Sequence, residues 1–171
     1  NADDQTWIFN PVPAFSYGLN IELNYKNFDL SMFWQGVYDQ DVYNNQKFQT
    51  DFWSLTDAGS NKGNRLLGAW TTDNTSSTIP ALTTNNTGDE GRASSYFVEN
   101  GSYLKLRNLQ LGYNVPTSFL SKFKMNSARF YVSGQNLLTL KSGGLTCADP
   151  ENPNWAYPLS TSVSFGVQLG F

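Results

Sequence analysis

In the segment FSYGLNIELNY, Phe15, Tyr17, Leu19, Ile21, Leu23 and Tyr25 take every second position, and the residues between them are small or polar. An alternation of period two marks a strand with one apolar face. After Lys26 and Asn27, FDLSMFWQGVY sets Phe28, Leu30, Met32, Trp34 and Tyr38 on one face and Asp29, Ser31 and Gln35 on the other. So short a link predicts an antiparallel hairpin with strands over about 15–25 and 28–38. The periodicity then disappears from about 39 to 100, a stretch dominated by Asn, Thr, Ser, Gly and Asp. We expect a long loop there, with a short helix near FWSLTDAG. Strand character returns over about 102–115, where Leu109, Leu111, Tyr113 and Val115 keep one phase and Leu104 and Leu106 the other. A bulge near Arg107 and Asn108, or a strand end projecting beyond the apolar layer, accounts for the switch. Two more strands follow, over about 128–138 and 162–171, separated by a loop over about 139–161.

The connections between these five strands run short, very long, modest, long. Successive strand ends alternate sides, so the two long loops share one side and the two shorter turns the other. Long loops on one side and short turns on the other are the pattern of an outer-membrane β-barrel. Strands of roughly 9 to 11 tilted residues are long enough to cross a bilayer. Tyr25, Phe28, Tyr113 and Phe171 fall toward the short-turn end and Phe15, Tyr17, Trp34 and Tyr38 toward the long-loop end, a girdle for each interface. Five strands cannot close a barrel, and an open edge would leave backbone groups unpaired in hydrocarbon. The expectation is therefore a segment of a larger all-β transmembrane barrel, against a barrel shared between several chains. The alternative is a soluble all-β carbohydrate-binding domain with aromatic inner faces.

Composition narrows the chemistry. The formal charge is −3 and the Lys and Arg residues are scattered, which sets nucleic acid aside as a partner. The chain contains no histidine and only one cysteine, Cys147, which removes most imidazole-based catalysis and any internal disulfide or cysteine zinc site. No enzyme activity is expected: Asp149 and Glu151 are near neighbours but read as solvated loop carboxylates in a Pro-set turn. Asp39, Asp41, Asn44 and Asn45 could offer oxygens to a structural Ca²⁺, but they lack the glycine and terminal Glu of a calcium loop, so no cofactor or metal is expected. Trp53, Trp70, Trp155 and Tyr157 lie in the predicted long loops and are the candidate contacts to substrate or partner, against the plainer reading that they pack the loops. Asn74, Asn85 and Asn100 begin Asn-x-Ser/Thr patterns to which no role is given. Lys105, Arg107 and Arg129 sit within strands and are expected to face the lumen or an interface, because a charge on the lipid side is costly.

The blocks NPVPAFSYGLNIELNYKNFDLSMFWQGVYDQDVYN, NGSYLKLRNLQLGYNVP, ARFYVSGQNLL and ADPE, followed by the terminal aromatic strand, resemble in order the end of a SusC-like (SusC/RagA family) TonB-dependent transporter of the Bacteroidota. The resemblance implies that residues 1–171 are the C-terminal portion of a barrel of about 22 strands, with the plug domain outside this chain. It further implies an outer-membrane importer of oligosaccharides or peptides, working with a SusD-like surface lipoprotein and driven by the proton-motive force through TonB and the plug. Outer-membrane lipid and the rest of the barrel would be its other partners. Phe171 resembles the terminal aromatic signal read by the barrel assembly machinery.

Overall fold

The computed structural model describes residues 5–53, 61–82, 92–154 and 157–171, the side chain of Trp53 excepted. The chain divides into two compact units, one comprising 13–40, 102–143 and 158–171 and the other 1–12, 41–101 and 144–157.

The first unit is an antiparallel sheet of five strands, β1 (Phe15–Tyr25), β2 (Phe28–Tyr38), β5 (Tyr103–Asn114), β6 (Ser127–Lys141) and β7 (Ser162–Gly170), in the spatial order β1-β2-β5-β6-β7. Each strand pairs with its sequence neighbour in the sheet, as in an up-and-down barrel wall. Register fixes which residues share a face. Leu23 opposes Leu30, Leu30 opposes Leu111, Leu111 opposes Val132 and Val132 opposes Phe165, so one apolar row crosses all five strands.

The phase switch in the third strand of this sheet is a bulge. Pairing with β2 shifts between Phe33 and Trp34, and pairing with β6 between Leu106 and Asn108, so Arg107 is the extra residue. A single insertion moves every later side chain to the opposite face, and Leu104 and Leu106 therefore join the face of Leu109 and Leu111. β6 yields at the same level, where Asn136 adopts a left-handed backbone at φ 52°. This strand also runs three residues beyond the expected end at 138. The connection from β5 to β6 holds a helical turn, α2 (Thr117–Leu120), continued by a 3-10 turn over Ser121–Phe123.

The second unit gives the expected long loop an internal structure. Short strands β3 (Asp41–Tyr43) and β4 (Val98–Asn100) pair, although the sequence between them is long. Helix α1 (Asn45–Phe48) follows β3 and continues as a π-helical turn over Gln49–Trp53. Of the expected helix near FWSLTDAG, Phe52 and Trp53 lie at the end of this π-helical turn, and the rest lies outside the described residues. Phe97 is wholly buried and centres the core, with its ring 5.2 Å from that of Phe48 and 5.0 Å from that of Tyr96. Phe52, Leu66 and Ile79 pack around the same cluster.

Candidate functional site

The sheet has two chemically opposite faces. On one, Leu19, Leu23, Phe130, Val163, Phe165 and Val167 are all about half exposed or more, Phe165 to 84%. A water-soluble sheet buries such a face against a second layer; an apolar face left open across five strands suits lipid. Rings cluster at both ends of it, with Phe28 4.8 Å from Tyr113 at the short-turn end and Phe15 stacked 5.1 Å from Tyr38 at the other.

The opposite face carries the charge. Register and the Arg107 bulge put all six charged residues of the five strands there: Glu22, Asp29, Lys105, Arg107, Arg129 and Lys141. Arg129 forms a two-pronged ion pair with Asp29 over Gly112, where a Cβ would lie 2.5 Å from both partners. The glycine is what lets the pair span an intervening strand. Arg107 donates to Gln35 Oε1 at 3.0 Å and to Asn136 Oδ1 at 3.4 Å, so the bulge aims its guanidinium at the polar face. Lys105 is buried to 2% exposure.

In the loop unit, buried polar groups are joined into a chain. Asn44, 1% exposed, caps α1 by accepting from Lys47 N at 2.9 Å and donates to Glu99 Oε2 and Thr146 Oγ1, each at 2.9 Å. Glu99 also accepts from the Thr146 backbone N–H and hydroxyl, each at 2.8 Å, and lies 3.7 Å from Lys47 Nζ. The Lys47 ammonium donates to the Tyr96 carbonyl and sits 3.9 Å from the centre of the Tyr96 ring. Tyr96 Oη donates to Asp51 Oδ2 at 2.8 Å, and Arg65 reaches the same oxygen at 3.2 Å. Burial alone would raise the Glu99 carboxyl, but the donors from Thr146 and Asn44 and the nearby Lys47 charge outweigh it and hold it below its ordinary value. Burial lowers the Lys47 ammonium against the pull of Glu99, and burial with the Asp51 contact raises the Tyr96 phenol. Nothing in the sequence marked this network, because its members lie up to 102 residues apart.

The sequence candidates fall in different places. Trp70 is 41% and Tyr157 98% exposed; the Trp53 side chain and Trp155 lie outside the described residues, as does Asn85. Asn44 is committed to the network, and Asp41 Oδ2 accepts from the Asn10 backbone at 3.0 Å. No group of three or more metal-ligating acidic or cysteine side chains occurs among the described residues. Asp149 is not solvated as expected but buried, its Oδ1 accepting from Glu151 N at 3.0 Å in a local turn, while Glu151 is exposed. Cys147 is fully buried. Phe171, 83% exposed, follows the last residue of β7.

No family-level sequence profile matches the chain. The chain is 38% identical over 151 residues to TonB-dependent receptor P3 of Formosa agariphila, covering 86% of this chain and 14% of that protein. It is 31% identical over 163 residues to TonB-dependent receptor SusC of Bacteroides thetaiotaomicron, covering 90% of this chain and 15% of that protein. Among solved structures, the RagAB peptide importer in its open-open state superposes with a TM-score of 0.75 at 28% identity, over 94% of this chain and 17% of that one. The chain thus spans less than a fifth of the length of these relatives. With its lipid-suited and charged faces, the chain belongs to the TonB-dependent receptor family and forms a five-stranded part of an outer-membrane barrel wall.

Proposed function

We propose that this chain supplies barrel wall and extracellular surface to a TonB-dependent importer of oligosaccharides or peptides. A SusD-like surface lipoprotein would deliver the cargo, and the proton-motive force, coupled through TonB, would drive uptake. The observation that carries the reading is the segregation of all six strand charges onto one face, which makes that face a polar lumen and the other a lipid surface. The relatives add direction: they are receptors and transporters, and RagAB is described as a peptide importer. The chain's own role is structural and positional, with no catalytic step. Exposed Trp70 and Tyr157, together with Trp53 and Trp155, are the proposed contacts to cargo or lipoprotein, since flat rings stack on sugars and anchor protein partners.

The test is uptake of labelled oligosaccharides and oligopeptides by cells carrying the full-length receptor, with and without TonB, alongside affinity capture of the receptor from detergent-solubilised outer membrane. Import of one cargo class that stops without TonB, with a surface lipoprotein retained on the receptor, is the expected result. Uptake indifferent to loss of the receptor for both classes would overturn it.

A further inference from the structure

The two shorter connections of the sheet differ in charge from the long ones. Segment 39–102 carries eight acidic and four basic residues and segment 142–161 two acidic and none basic. The turn between β1 and β2 holds Lys26, and the connection between β5 and β6 holds Lys122 and Lys124, with no carboxylate in either. Two of these lysines occupy left-handed backbone, Lys26 at φ 53° and Lys124 at φ 54°, where glycine or asparagine would be less strained. Beside them stand bare rings: Phe119 is 63% and Phe123 70% exposed, and Lys122 Nζ lies 5.9 Å from the centre of the Phe119 ring. Leu120 is buried and anchors the turn to the sheet.

The same end of the lipid-suited face carries an apolar groove of about 470 Å³. Phe28, Tyr113, Phe130 and Phe165 wall it, and Leu111, Val132 and Val167 line it between them. Phe28 directly follows the Lys26–Asn27 turn, and Tyr113 and Phe130 belong to the two strands that the lysine-bearing connection joins.

We propose that this end of the wall is a binding site for an anionic glycerophospholipid of the periplasmic leaflet. The headgroup phosphate is held by Lys122, Lys124 and Lys26, and an acyl chain lies in the groove walled by Phe28, Tyr113, Phe130 and Phe165. Three observations converge on this occupant: lysines in two connections that carry no carboxylate, rings suited to the bilayer interface next to them, and an apolar groove along the lipid-suited face at the same end. The inference rests on the outer-membrane placement of the barrel and not on what it transports.

The experiment uses the full-length receptor, purified in detergent and incubated with phosphatidylglycerol or phosphatidylcholine of identical chains, then washed and assayed for retained lipid. Heat-modifiable migration on gels confirms that each sample is a folded barrel, and uptake is measured separately, so failure of the transport reading is distinguishable. Wild type is expected to retain phosphatidylglycerol in preference to phosphatidylcholine. The preference should fall about fivefold for each lysine neutralised in Lys122→Gln and Lys124→Gln. Val132→Trp, which fills the groove, should reduce retention of both lipids. Equal retention of the two lipids by wild type, or a preference unchanged in the double lysine variant, overturns the proposal. Full displacement of the lipid by inorganic phosphate does too, because it assigns the cations to free phosphate.

Discussion

Glu99 is the residue on which the loop unit should be most sensitive, and Glu99→Gln tests this with little change of shape. The wild-type carboxylate accepts two donors on Oε2, from Asn44 and the Thr146 backbone, and on Oε1 the Thr146 hydroxyl, with Lys47 3.7 Å away. A glutamine can keep its oxygen in the Oε2 position and preserve the first two bonds. Its amide NH₂ then faces the Thr146 hydroxyl, which already accepts from Asn44, and a Lys47 that has lost its counter-charge. A hydrogen bond to a charged group contributes about 1.5–3 kcal/mol. With a half-buried ammonium stranded as well, the loss comes to about 2–4 kcal/mol for the unit. Hydrogen exchange on the full-length receptor reads this directly. Amides over 41–53 and 94–101 should lose roughly thirty- to a thousandfold protection, while those of the sheet stay unchanged. Adding Lys47→Gln should return part of the loss by removing the stranded charge, a non-additivity that two independent sites would not give. Protection within about twofold of wild type in Glu99→Gln would refute the account, because the network would then contribute nothing to holding the unit closed.

The same group sets a pH dependence: its folded value lies below the ordinary 4.5, so its contribution is complete above that value and is lost as pH falls through the folded one. Exchange protection of the loop unit should therefore drop below about pH 4.5 in wild type, and this drop should be smaller in Glu99→Gln. On the sheet, Phe165→Arg should cost about 2–4 kcal/mol as a charge placed in lipid, whereas Ser164→Arg, one residue away on the polar face, should be nearly silent. Folded fraction by heat-modifiable migration separates them, and equal effects would contradict the assignment of faces. Gly36→Ala places a Cβ 2.5 Å from the Tyr103 carbonyl and the Tyr17 ring, so it should lower barrel stability by about 1–3 kcal/mol in a urea titration. Cys147 should resist maleimide in the native receptor and react after denaturation; rapid native labelling would show that its pocket opens.

The sheet was legible in the sequence because its chemistry repeats every two residues. Once a hairpin was placed at Lys26 and Asn27, the alternation of Leu19, Ile21 and Leu23 fixed the faces of both strands. Even the irregularity was visible, since Leu104 and Leu106 are out of phase with Leu109 and Leu111 for the physical reason that Arg107 is inserted between them. The loop unit offered no such period. Its short strands are only three residues each, and the contacts that fix it join Asn44 to Glu99 and Thr146 across 55 and 102 residues. By residue type Asn44 offers an oxygen to a cation, whereas in the structure its amide is taken up by protein partners on both sides. Trp70 and Tyr157 are exposed rings, as their residue type in polar loops suggests, but their arrangement depends on loop contacts that carry no sequence period.

The two units also answer different solvents. The strands face hydrocarbon, where an unpaired backbone group costs several kcal/mol, so the hydrogen-bonded ladder is compulsory and the outward side chains need only be apolar. Much sequence change among Leu, Val, Phe and Ile is compatible with that face, provided the period is kept. The loop unit has a small aromatic core around Phe97 and is fixed by specific donors and acceptors, among them a fully buried Asp51 held by Tyr96 and Arg65. Truncating one partner of such a network leaves the other buried and unsatisfied, which costs more than the bond itself contributed. Variation that alters a barrel wall only gradually should therefore act sharply in the loop unit. That makes the loop unit the part of this chain where a small number of substitutions can most change local structure.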